Sequence, residues 1–135
     1  MNKKELLISA LNGQPTYRFP VIGPGGSINI LNRTVIDRMG IPLPTAHYSG
    51  AMMAELAAAG HDMVGFDNVG VPLCLTVEAE VLGAKVDMGD NAMLPRVVSF
   101  PELGTEALIA HAVPALLNHG RVPQVIRAVE LLHRM

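Results

Sequence analysis

Tryptophan is absent from this chain, and cysteine occurs once, at Cys74. A lone cysteine excludes an internal disulfide framework and fits a reducing compartment. Charge is scarce as well: 16% of the residues are charged and the net charge is -2. There is no basic stripe with interleaved aromatics, the ordinary signature of a nucleic-acid binder. No apolar run approaches the roughly 18 residues of a membrane span. The opening Met1-Asn2-Lys3-Lys4-Glu5 has a basic start, but Glu5 and Asn12 interrupt the apolar stretch that a signal peptide requires. We therefore expect a cytoplasmic protein with no nucleic-acid partner and no membrane span.

What is present is apolar. Half of the 135 residues are hydrophobic, enough for one modest domain with a core. So little charge on a domain of this size suggests surface covered by further chain or by a partner, although an Ala-, Val- and Gly-rich composition alone would account for it. Val125, Ile126, Val129 and Leu132 recur at helical spacing after Pro123, with no stop signal before Met135. We expect the domain to continue past this point, and its catalytic set to be incomplete within residues 1–135.

Local signals place the elements. Asn2 and Glu5 have capping-box spacing, and Gly13 ends a helix over about residues 3–12. Tyr17 to Ile22 reads as a strand entering the glycine-rich stretch Gly23-Pro24-Gly25-Gly26. A helix over 32–40 is capped by Asn32 and closed by Gly40; another starts at Ser49, buries Met52, Met53, Leu56 and Ala57, and ends at Gly60. Met63 to Phe66 reads as a strand, 72–82 as a helix, Lys85 to Met88 as a strand, and 105–119 as a helix that Pro114 kinks. The alternation predicts an α/β fold with helices over a mainly parallel sheet, in one domain without an internal boundary.

Several constellations bear on chemistry. Backbone amides of the Gly23–Gly26 stretch can meet an anion. However, Pro24 removes a donor, residue 28 is not the glycine that a Gly-x-Gly-x-x-Gly motif needs, and no Walker lysine follows. A tight turn that lets substrate approach backbone fits better. Asp67 falls at the carboxyl end of a predicted strand, the edge that carries chemistry in α/β folds and barrels, although a turn or cap role fits as well. His47 lies in a loop; the other four histidines read as surface or structural residues, and no His-x-x-x-His or Cys-x-x-Cys spacing supports a metal site. Cys74 has an apolar setting that suits an inert buried thiol. Glu78 and Glu80 lie two apart and do not share a helix face.

Taken together, these segments are familiar. Met1 to Val21, Gly65 to Pro72 and Glu80 to Ala84 resemble the uroporphyrinogen decarboxylase superfamily. Gly25-Gly26-Ser27, Pro44 to His47, Met53 to Gly60, Cys74 to Glu80 and Val86 to Gly89 are similar to its corrinoid-dependent methyltransferase branch, the methylcobamide:coenzyme M type. The resemblance implies a (β/α)₈ TIM barrel with N-terminal helices, of which this chain supplies the first part; a whole barrel needs about 250 residues. It implies that Asp67 matches the acidic residue that decarboxylases present to pyrroles. We take Asp67 as the candidate catalytic residue and Gly25, Gly26, Ser27, His47, Asn68 and Glu80 as candidate substrate contacts.

The resemblance also implies zinc and a methylcorrinoid for the full-length enzyme. The zinc would hold the acceptor as a thiolate, on His and Cys ligands from later strands, so no metal ligand is assigned in this chain. The implied partners are a corrinoid protein or the remainder of the barrel, and a small-molecule thiol such as coenzyme M. Open sheet edges and apolar surface lead us to expect a homo-oligomer as well. Two other readings stand beside this one. The chain is a non-catalytic half-barrel that binds another chain, or it belongs to a tetrapyrrole decarboxylase. Against the latter, Gly25 to Asn29 replaces the arginine-bearing loop that decarboxylases place after their first strand.

Overall fold

The computed structural model of the chain describes residues 1–23 and 32–135, the latter without the side chains of 111–115. Among these residues the order is α1 (Lys3–Leu11), α2 (Arg33–Met39), α3 (Leu43–Ala46), α4 (Gly50–Val64), α5 (Val77–Val81), β1 (Lys85–Asp87), β2 (Arg96–Ser99), α6 (Thr105–Ala115) and α7 (Val122–Arg134).

Helix starts follow the side chains that can satisfy free amides. Asn2 Oδ1 accepts from the Glu5 amide at 2.8 Å and Glu5 returns the bond to Asn2, completing a capping box. Asn32 accepts from the Thr34 amide and Ser49 from the Met52 amide. Helix ends are less predictable. Gly40 closes α2 in the left-handed region as expected. Gly60, however, does not end α4: it is buried and helical, and the chain turns at Gly65, with φ +89. The expected strand over Met63 to Phe66 is therefore half helix. The expected helix over 72–82 shortens to α5, since the chain stays irregular from Pro72 to Thr76. α6 stops at Ala115, not at 119.

The expected parallel sheet is also corrected. The sheet among the described residues is the antiparallel pair β1–β2, with Val86 opposite Val97 and Asp87 opposite Arg96. Residues 17–22, expected as a strand, form none: the chain bends at Tyr17 and Arg18 and joins no ladder through Ile22. The core lies between α4 and its neighbours. Met53, Ala54 and Leu56 of α4 pack in one cluster with Ile36, Leu43, Ala46, Leu73 and Ala128. Burying a leucine side chain contributes about 2 kcal/mol, so this contact set fixes α2, α3 and α7 around α4. Gly50 marks a close approach of α4 to α7: a Cβ there would lie 2.7 Å from the Gln124 carbonyl oxygen and 2.8 Å from Arg127 Cβ.

Candidate active site

The two segments that lead toward the expected site lie side by side. The Asp67 amide donates to the Val21 carbonyl at 2.7 Å, and the Val21 amide donates to Asp67 Oδ2 at 2.8 Å. One step on, the Gly23 amide donates to Asn68 Oδ1 at 2.9 Å, and Asn68 Nδ2 donates to the Gly23 carbonyl at 2.7 Å. Val21 pairs with Asp67 and Gly23 with Asn68, so the segments run in the same direction.

Arg18 secures this junction. Its Nη1 and Nη2 donate to Asp67 Oδ2 and Oδ1 at 2.6 and 2.7 Å, a bidentate pair. The Asp67 side chain is 1% exposed, whereas that of Arg18 is 39% exposed. The Arg18 bonds, with the Val21 amide, hold the Asp67 carboxyl well below the usual carboxylate range. The carboxylate is ionised and fully engaged by this chain's own donors. Sequence reasoning missed Arg18, whose partner lies 49 residues away.

Two clefts flank the junction. The larger, about 620 Å³, is lined by Ile22, Gly23 and Asn68 to Val71 together with Leu7, Val129, Leu132 and His133. The second, about 430 Å³, is lined by Lys3, Lys4, Leu7, His61 and Asp67 to Val69. At its edge Lys3 Nζ lies 2.8 Å from His61 Nε2 and donates to the Phe66 carbonyl, while His61 Nδ1 lies 2.8 Å from Asp62. A donating ammonium makes Nε2 the acceptor and places the ring proton on Nδ1, toward Asp62.

The remaining predicted residues sit elsewhere. Gly25, Gly26 and Ser27 lie outside the described residues. His47 ends α3 in place of a ligand-facing loop; it is 1% exposed, and neither ring nitrogen has a hydrogen-bond partner. Burial, then the charge of Arg121, lower its pKa to about 4. Glu80 accepts from Arg121 Nε at 2.7 Å. Arg121 also donates to Thr76 Oγ1 at 2.8 Å and to Cys74 Sγ at 3.1 Å. Burial opposes its charge, but the bonds to Glu80 and Cys74 outweigh it and raise its pKa. Thus Asp67 and Asn68 come together at the clefts, while His47 and Glu80 gather around Arg121, which sequence reasoning also missed.

Among the described residues no three His, Cys, Asp or Glu side chains converge into a group that could hold a metal ion. They offer zinc no ligand set, and no chemistry is assigned to a metal here. No helix among them is long and apolar enough to cross a membrane.

Comparison with known proteins identifies the family. The model of the uroporphyrinogen decarboxylase (URO-D) family matches residues 2–135. The chain belongs to the URO-D family. Its relatives include the methylcobamide:CoM methyltransferase MtaA of Methanosarcina barkeri, 33% identical over 132 residues that cover 96% of this chain and 37% of the relative. The methylcobamide:CoM methyltransferase MtbA of Methanosarcina acetivorans matches with the same identity and coverage. A solved methyltransferase from Methanosarcina mazei superposes with a TM-score of 0.80 at 30% identity, over 99% of this chain and 39% of that chain. The chain therefore shares a mixed helix–strand fold with a methyltransferase and spans little more than a third of the length of these relatives. The resemblance read from the sequence holds for both the family and its methyltransferase branch.

Proposed function

We propose that this URO-D family chain forms part of an enzyme that transfers a methyl group from a methylcobamide to coenzyme M or a similar small thiol. The observation that carries this reading is the 33% identity to methylcobamide:CoM methyltransferases across 96% of the chain. The same relatives favour methyl transfer over tetrapyrrole decarboxylation. We read residues 1–135 as one portion of a (β/α)₈ barrel, with 17–23 and 65–68 as neighbouring parallel segments of its wall. The paired Val21–Asp67 and Gly23–Asn68 bonds support that direction.

In this reading the 620 Å³ cleft is the acceptor side of the pocket, a size that suits a small ligand. The acceptor sulfur attacks the methyl carbon as a thiolate; the bond from that carbon to the corrinoid breaks, and its electron pair leaves with the corrinoid. The chain's own residues bind and orient the acceptor and exclude water. Asp67 serves as a positioning group: with Arg18 it fixes the backbone of Val21 to Gly23, which forms one wall. Exposed apolar side chains such as Phe19 and Leu75 are covered by the rest of the barrel or by a second copy. Light scattering across a concentration series distinguishes the two, since only the second gives a mass that grows with concentration.

The direct test is methyl transfer from a methylcobamide to coenzyme M by the protein carrying this sequence. Residues 1–135 alone are expected to transfer none, because their described side chains supply no metal-ligand group. In the active protein, Asp67→Asn is expected to lower kcat/KM about tenfold while the protein still melts cooperatively, since small misplacements of a pocket wall are costly. Unchanged kinetics would leave Asp67 with no part in the site.

A further inference from the structure

Arg121 is the largest fully buried side chain among the described residues, and the methyl-transfer reading does not use it. It stands at the start of α7, where its carbonyl accepts from the Gln124 and Val125 amides. Its guanidinium reaches Cys74, Thr76 and Glu80, all on the segment that follows the loop 69–72. The far end of the same helix carries Val129 and Leu132, which line the 620 Å³ cleft together with Val69 and Val71. α7 is held against α4 as well, by the Gly50 amide donating to Gln124 Oε1 at 2.9 Å and by a helix contact with no room for a Cβ on Gly50. α7 is therefore tied to the 74–80 segment through Arg121 and packed on the α4 core through Val125, Ala128, Leu131 and Leu132, and its placement bears on the cleft that Val129 and Leu132 line.

We propose that Arg121 is a positioning residue for the acceptor cleft: it fixes α7 relative to loop 69–72 and thereby sets the fit to a small thiol. The ligand in this inference rests on the methyl-transfer reading; the clamp does not. Only arginine suits the position. Its planar fork satisfies three acceptors in different directions, and its charge persists at any working pH. Lysine would keep the ion pair with Glu80 and lose the fork.

The experiment is Arg121→Lys in the full-length protein, assayed for methyl transfer to coenzyme M and for amide hydrogen exchange. The Glu80, Leu82 and Ala84 amides, bonded to the Thr76, Glu78 and Ala79 carbonyls, report on the clamped segment. Their exchange should rise about tenfold while that of α4 stays unchanged. KM for coenzyme M should rise about tenfold with kcat within about twofold, the pattern of lost ground-state fit. An arginine needed only for folding would lower the active fraction, and so kcat, at an unchanged KM; that result overturns the inference, as does unchanged exchange in a folded variant. Should Arg121→Lys fail to fold, Thr76→Val removes a single bond of the fork and must raise KM in the same direction to a smaller extent. If the unmodified protein transfers no methyl group, the functional reading fails, and the exchange measurement alone then upholds or overturns the clamp.

Discussion

Two arginines join distant stretches of this chain to a carboxylate, and they do so in opposite senses. At the cleft edge the carboxylate is interior and its arginine faces solvent: the Asp67 side chain is 1% exposed and that of Arg18 39%. At the start of α7 the arginine is interior and the carboxylate lies near the surface, at 2% for Arg121 and 25% for Glu80. A buried aspartate that loses its partner can take up a proton and become neutral. A guanidinium has no such route, since it does not deprotonate in proteins. The first junction can therefore relax when broken, and the second cannot.

The largest effect should come from breaking the second junction on its exposed side. Glu80→Ala leaves Arg121 charged and buried with only Cys74 and Thr76 as acceptors, and should cost about 3 to 5 kcal/mol in urea unfolding. A loss near zero would mean that water replaces the carboxylate freely.

Acid should act on the same region next. His47 is held near pKa 4, against an ordinary value of 6.5, by burial and by the charge of Arg121. The unfolded chain takes up this proton first as pH falls. The contribution of the neutral imidazole is thus complete above pH 6.5 and lost on the way down to about pH 4, a change of about 3 kcal/mol. Urea midpoints measured across that window should follow this course, and His47→Leu should flatten it. An unaltered profile in the variant would move the acid sensitivity to another group.

The smallest effect belongs to the first junction. Arg18→Met should lower the unfolding midpoint at neutral pH by less than Glu80→Ala does. The contribution of Asp67, whose folded pKa is depressed, is present above the ordinary carboxylate pKa and lost as pH falls through the folded one. The difference between Arg18→Met and the unmodified protein should therefore shrink in acid. Melts at neutral and acidic pH measure it, and a difference that grows in acid would show that the relaxation of Asp67 does not occur.

The contrast also explains what was readable in the sequence. Caps at Asn2, Asn32 and Ser49 were legible because each satisfies an amide two or three residues away. The family segments were legible as extended likeness. The two junctions were not, because their partners lie 49 and 41 residues apart. Asp67 stood out as a polar group at a strand end, but nothing local reveals that Arg18 occupies both of its oxygens. Gly60 misled because a helix tolerates a buried glycine, whereas only Gly65 adopts the left-handed turn. His47 read as a loop residue, and it is the packing of α3 on α4 that carries it inside.

The Asn68 side chain has a consequence of its own. By giving its oxygen to the Gly23 amide and its amide group to the Gly23 carbonyl, it imitates the peptide unit that a neighbouring strand would offer. Stretches 18–23 and 67–68 are therefore keyed to each other at Arg18, Val21 and Gly23, like the wards of a lock. Adding or removing one residue on either side would bring the wrong group to each contact. In a chimera assembled from this chain and a family member, the two stretches travel as one inheritance unit, although more than forty residues separate them.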